Sequence, residues 1–152
     1  MGLSCARASG AAERVPSPEL ASTPLIELRL AHASPAPGRT AADFEGTTLY
    51  LEPNVVLSDS GIAHVHVDPA GNDAGQNAVI LNLDLEPWAA ARLHAATSEA
   101  IGVRMALILG SAIRSAPVIR SPIGAHPSAS VQVRVEAPGH VLHRIQERWP
   151  QR

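Results

Sequence analysis

The sequence contains no lysine: its twelve basic residues are all arginine, set against fourteen carboxylates and seven histidines, for a formal net charge of −2. Without Lys, no Gly-x-x-x-x-Gly-Lys phosphate loop can exist. The arginines stand singly from Arg7 to Arg152 and never form a run. Nucleic-acid binding draws on clustered cations that neutralise phosphates, so no nucleic-acid partner is expected. Aromatic residues make up 3% of the chain and are confined to Phe44, Tyr50, Trp88 and Trp149. That argues against a stacking platform for bases or sugars. Cys5 is the single cysteine, which excludes an intrachain disulfide and a Cys-based zinc site. No stretch approaches the ~20 apolar residues of a membrane span. The first ten residues also lack the apolar run of a secretory signal.

What remains is a chain of 152 residues, 45% of them hydrophobic. Such a length fits one domain with a tail. A core poor in rings must be built from Val, Ile, Leu and Ala, which suits a sheet with helices laid on it. Residues 1–23 are rich in Ala, Ser and Pro, as a tail or tether would be, and the domain is expected over 24–150. Leu3-Ser4-Cys5-Ala6 resembles the end of a lipoprotein signal, although Gly2 stands where Leu is usual. A lipid anchor at Cys5 and an ordinary terminus with a chance cysteine both stay open. The first would place the domain outside the cytoplasm, whereas a true start at Met1 would leave it inside.

Periodicity organises the rest. Leu25 to Leu30 alternates as a half-buried strand, and His32 to Gly46, broken by prolines, is expected to be a long loop. Thr47 to Leu51 is rich in β-formers, and Ser58-Asp59-Ser60-Gly61 has the residues of a turn. Ile62 to Val67 alternates up to Asp68-Pro69-Ala70-Gly71. Asn77 to Leu85 alternates again, with Val79, Leu81, Leu83 and Leu85 on one face and Asn82 and Asp84 on the other. The loop between these two runs predicts an antiparallel hairpin. Pro87 opens a helix running to Ala100, with Ala89, Leu93, Thr97 and Ile101 expected to face the sheet. Gly102 stops it. Met105 to Leu109 is continuously apolar, as in a strand buried on both faces, and Gly110-Ser111 turns it into Ile113 to Ile119. Ser130 to Val135 predicts a strand, and Gly139 to Trp149 a closing helix. The expected class is therefore α+β: a largely antiparallel sheet with one central helix and a C-terminal helix packed on it.

The block from Gln76 to Ile123 resembles the periplasmic head of the SecD export protein. Its pieces are the strand Leu81 to Leu85, the Pro87 helix and Thr97, then Ile101-Gly102 and Arg104. The aliphatic strand Met105 to Leu109 and Ser115-Ala116-Pro117-Val118-Ile119 complete it. No gap is needed across it, and Ile26 to Arg29, Leu49 to Ile62 and Gly139 to Trp149 are collinear with the family more loosely. Three departures keep packing and turn chemistry: Gly110-Ser111 replaces Asp-Gly, Ala89 a glycine and Leu93 an aromatic residue. The base subdomain and membrane bundle that make SecD a proton-driven machine are not in this chain. The resemblance implies a non-catalytic, extracytoplasmic accessory domain that contacts exported or unfolded polypeptide, or another envelope protein. A structural module of the envelope without an export role is the alternative. Pro117 implies that its strand is an edge or carries a bulge. With Val118 and Ile119 beside it, that edge is a place for a partner peptide, or one that proline guards against pairing.

The residues that tempt a catalytic or metal reading are few. His64, His66 and Asp68 share one face of a strand, and His140 and His143 lie three apart on the closing helix. A zinc site needs three or four ligands, and no fourth is evident, so metal binding is carried only as a second alternative. No serine sits in a Gly-x-Ser-x-Gly elbow. Asp84 and Glu86 flank the strand-to-helix junction, where negative charge is favoured. No catalytic residue, metal ligand or cofactor is assigned.

Overall fold

The computed structural model describes residues 24–70, 78–124 and 130–151. The expected tether with Cys5 lies outside them, as do the loop at 71–77 and Pro127. The first half of the chain forms β1 (Ile26–His32), β2 (Thr40–Phe44), β3 (Thr47–Leu51), β4 (Leu57–Ser58) and a 3-10 turn (Asp59–Gly61). The hairpin strands β5 (Ile62–Pro69) and β6 (Ala78–Leu85) follow, then helix α1 (Pro87–Ser98). β7 (Arg104–Leu109), β8 (Ala112–Ser115), β9 (Ser130–Glu136) and helix α2 (Gly139–Arg148) complete the described chain.

Every strand pair is antiparallel, as the alternation and short connections require. The strands divide between two sheets, however, rather than lying in one. One has the order β9-β6-β5; the other runs β2-β3-β1-β7-β8, with β4 pairing β1 next to β3. The division follows from β7. Met105, Leu107 and Leu109 on one of its faces and Ala106 on the other are all buried, so it fits only an interior position, which β1 and β8 provide.

Those two faces serve two cores. The larger core joins Ile26 and Leu28 of β1, Met105, Leu107 and Leu109 of β7, and Leu81 and Leu83 of β6 to Leu93 of α1 and Ile145 of α2. The smaller one lies on the other side of the six-stranded sheet, where Ala31, Leu49, Leu51, Ala106 and Ala116 meet beneath Phe44 and Ile113. On the three-stranded sheet the alternation divides the faces as expected: Leu81, Leu83 and Leu85 are buried, while Asn82 and Asp84 turn outward.

Three expectations need correction. The stretch from His32 to Gly46 is not all loop, because β2 forms within it and pairs β3 from Thr40↔Leu51 to Phe44↔Thr47. Ile101 does not face the sheet; it is 50% exposed. The helix stops at Ser98, and Gly102, at φ +91, belongs to the turn that follows, so helical spacing no longer governs position 101. Strand β8 ends at Ser115, and the chain beyond it continues as a strip held to the start of β7 by an isolated bridge between Arg104 and Val118.

Candidate functional site

The histidine cluster folds onto the outer face of the three-stranded sheet. Register places His64 opposite Asp84 and Ser130, and His66 opposite Asn82 and Gln132. The two imidazoles meet edge to face, with centroids 4.4 Å apart. Nε2 of His64 is buried and has no hydrogen-bond partner among the described residues. Asp68 does not join the pair; its Oδ2 accepts a 2.8 Å bond from Asn82 Nδ2, and Asn82 Oδ1 accepts one of 2.9 Å from Gln132 Nε2. These bonds tie a polar ladder across all three strands. His140 and His143 lie exposed on α2, where His143 is 3.5 Å from Glu147. Among the described residues, no group of three or more His, Cys, Asp or Glu comes close enough to hold a metal ion. Asp84 lies on the same outer face, paired in register with His64 and Ser130. Glu86 precedes α1, and its carbonyl, not its carboxylate, accepts from Ala89 and Ala90.

A different feature gathers residues from across the chain. An apolar groove of about 310 Å³ runs between the strip after β8 and strand β9. Leu28, Leu93, Met105 and Leu107 form its floor. One wall is Ser115, Pro117, Val118 and Ile119, continued by Ile123; the other is residues 131–134 of β9.

The 115–123 wall is fixed by bonds that the sequence leaves implicit. Met105 N donates to Pro117 O (2.9 Å), Ile119 N to Val103 O and Gly102 N to Ile119 O (both 2.8 Å). The Arg104 guanidinium reaches Ala116 O at 2.7 Å. Thr97, fully buried, donates its hydroxyl to Leu93 O one turn back and accepts Ile123 N, both at 2.8 Å. The hydroxyl-to-carbonyl bond lets this polar side chain sit in the core, and the same oxygen also ties down the groove wall.

The Ser-Ala-Pro-Val-Ile motif thus forms one side of a site, and Pro117 sits at an edge, as its missing donor requires. Strand β8 also carries a bulge against β7 between Leu107 and Ile108. Sequence reasoning missed the opposite wall. A signal was there: β9 alternates without interruption and carries neither a proline nor an inward-pointing charge, the usual devices that protect an outer strand.

The comparisons with known proteins agree with this architecture. The chain matches the family model "SecDF, P1 head subdomain" over residues 35–137. A solved structure of SecDF, described as a membrane component that enhances protein export, superposes with a TM-score of 0.50 at 16% identity. It covers 82% of this chain, and the chain covers 59% of it. SecDF in a super-membrane-facing form matches with a TM-score of 0.52 at 19% identity, over 79% of this chain and 17% of that one. At such identities the likeness is one of fold. No curated protein matches. No helix among the described residues is long and apolar enough to cross a membrane.

Proposed function

We infer that this chain, which belongs to the family of SecDF P1 head subdomains, acts as a non-catalytic accessory domain that contacts unfolded or exported polypeptide outside the cytoplasm. Residues 24–150 act as one domain in this reading. Residues 1–23 serve as its tether, with Cys5 as the candidate point of lipid attachment.

The observation that carries the reading is the groove. An apolar floor between a strand and an extended strip, with Val118 at the rim 39% exposed, suits a chain that has not yet buried its own apolar side chains. The protein-export role described for SecDF supports the same reading. The polar ladder on the opposite face favours no ligand of its own, since its amides and the Asp68 carboxylate already satisfy one another.

The test is titration of a permanently unfolded, labelled polypeptide with the wild type, Val118→Asp and Val133→Asp. Val118 is exposed at the groove's rim and Val133 is partly buried on the face of β9 that lines the groove, so a charge at either is penalised once the groove is covered. Each substitution should weaken binding about tenfold or more, and Val118→Asp, at the exposed position, should keep thermal stability close to wild type. Affinity that is the same in all three proteins would remove the groove from the function.

A further inference from the structure

The two walls of the groove differ in what their backbones offer. Strand β9 pairs with β6 through all seven residues, from Ser130↔Asp84 to Glu136↔Ala78, and no strand among the described residues pairs it on the other side. In an antiparallel ladder, alternate residues turn both N–H and C=O away from their partner. A row of β9 backbone groups therefore faces the groove, and no backbone bond among the described residues takes them up. The opposite wall is committed at Pro117 and Ile119. Pro117 has no N–H and its carbonyl is held by Met105, while both backbone groups of Ile119 are bonded to residues 102 and 103.

The side chains of β9 carry a second instruction. Val131 and Val133 lie on its apolar face, with Gln132 and Arg134 on the outer one. Arg134 is the single charged side chain among those lining the groove.

We propose that the groove takes an extended polypeptide segment as an added strand on β9, aliphatic at alternate positions and acidic where it passes Arg134. The dimensions agree. The groove follows β9 for residues 131–134, which is about 13 Å of extended chain at ~3.3 Å per residue. A four-residue strand turns two side chains to one face. The groove's 310 Å³ is roughly twice the ~150 Å³ of an apolar cavity that holds benzene. The domain therefore selects amphipathic strand-forming segments over uniformly apolar ones. This selection rests on the polypeptide-contact reading above and adds its mode.

Three labelled peptides test it on the full chain by fluorescence anisotropy. One alternates Val or Leu with Glu or Ser, one has the same composition reordered to helical spacing, and one alternates with Arg in place of Glu. The alternating acidic peptide should bind about tenfold more tightly than either of the others, the equivalent of one or two hydrogen bonds or a charge-assisted contact. Methylating its backbone nitrogens at every second residue should cost a similar factor in one parity and little in the other. Arg134→Glu should transfer the preference to the Arg peptide. Equal affinity for the alternating and reordered peptides, or indifference to the parity of methylation, overturns strand addition while polypeptide contact survives. If no peptide binds and the unfolded polypeptide also fails to bind, both readings fall. A dimer that forms through β9 in the absence of peptide overturns the proposal in favour of a second copy as occupant.

Discussion

The outer strands of the three-stranded sheet meet solvent in opposite ways. On β5 the edge is closed by a single side chain: Val67 N donates to Gln151 Oε1 at 3.1 Å, and Gln151 Nε2 donates to Val65 O at 3.0 Å. One primary amide thus stands in for a neighbouring strand, and Pro69 and the bulge near His64 disturb the rest of that edge. On β9 none of these devices is present among the described residues, and the bare edge borders the apolar groove. An unguarded strand invites association with other chains. That the same sheet guards one edge and leaves the other open beside an apolar floor is the contrast on which the proposal for β9 rests.

The comparison depends on β6, which holds both edges and keeps their apolar faces in the core. Leu83 lies at its middle, fully buried, opposite Val65 on β5 and Val131 on β9. Leu83→Ala should cost about 2–5 kcal/mol, read from chemical denaturation, because the cavity lies in a packed core that relaxes only in part. Both edges should loosen together in amide exchange. A loss near zero, or exchange that rises on one edge alone, would mean that the two strands do not share one support.

Most of this frame was legible in the sequence. The alternation of β1, β5, β6 and β9 and the apolar run of β7 require strands wherever they occur, since each has one periodicity and one way to bury it. Strand β2 was hidden for a physical reason. Thr40-Ala41-Ala42-Asp43-Phe44 has no alternation and is mostly exposed, so its strand character comes from pairing with β3. The two-residue turn at Glu45-Gly46 makes that pairing, with φ of +51 and +79 as a primed hairpin turn needs. Asp59 was legible only as a turn former. Its carboxylate in fact accepts Leu25 N and Ile26 N at 3.0 and 2.9 Å, and Arg148 stands 3.3 Å away. The groove draws on β1, α1, β7, the strip after β8 and β9, so no local pattern could announce it. Its Ser-Ala-Pro wall was found because those residues form a contiguous motif. The β9 wall was missed because what matters there is a partner strand that is absent.

A smaller effect separates the groove from the edge beside it. Thr97→Val keeps the shape of the buried side chain but removes the acceptor for Ile123 N, leaving a donor at the groove wall without its partner. The expected loss is about 1–3 kcal/mol, the range for stranding a buried polar group. Polypeptide affinity should fall with it, while amide exchange along β5 stays as in the wild type. Unchanged affinity with the full stability loss would show that the 115–123 wall need not be fixed for binding, and would shift the weight of the site to β9.

The smallest change addresses the guarded edge directly. Gln151 lies 84 and 86 residues from the backbone groups it caps, and it is exposed, so Gln151→Ala returns those groups to water without opening a cavity. Such bonds are worth about 0.5–1.5 kcal/mol each, and water replaces them in part, so the stability change should fall near the low end. The sharper readout is local. The Val67 amide should exchange faster in the variant, and at high protein concentration β5 should gain the tendency to pair that its cap suppresses. Peptide affinity at β9 should not change, because the two edges lie on opposite sides of β6. If Val67 exchanges at the same rate with and without the Gln151 side chain, the amide is not acting as a strand, and the two edges of the sheet are more alike than their geometry suggests.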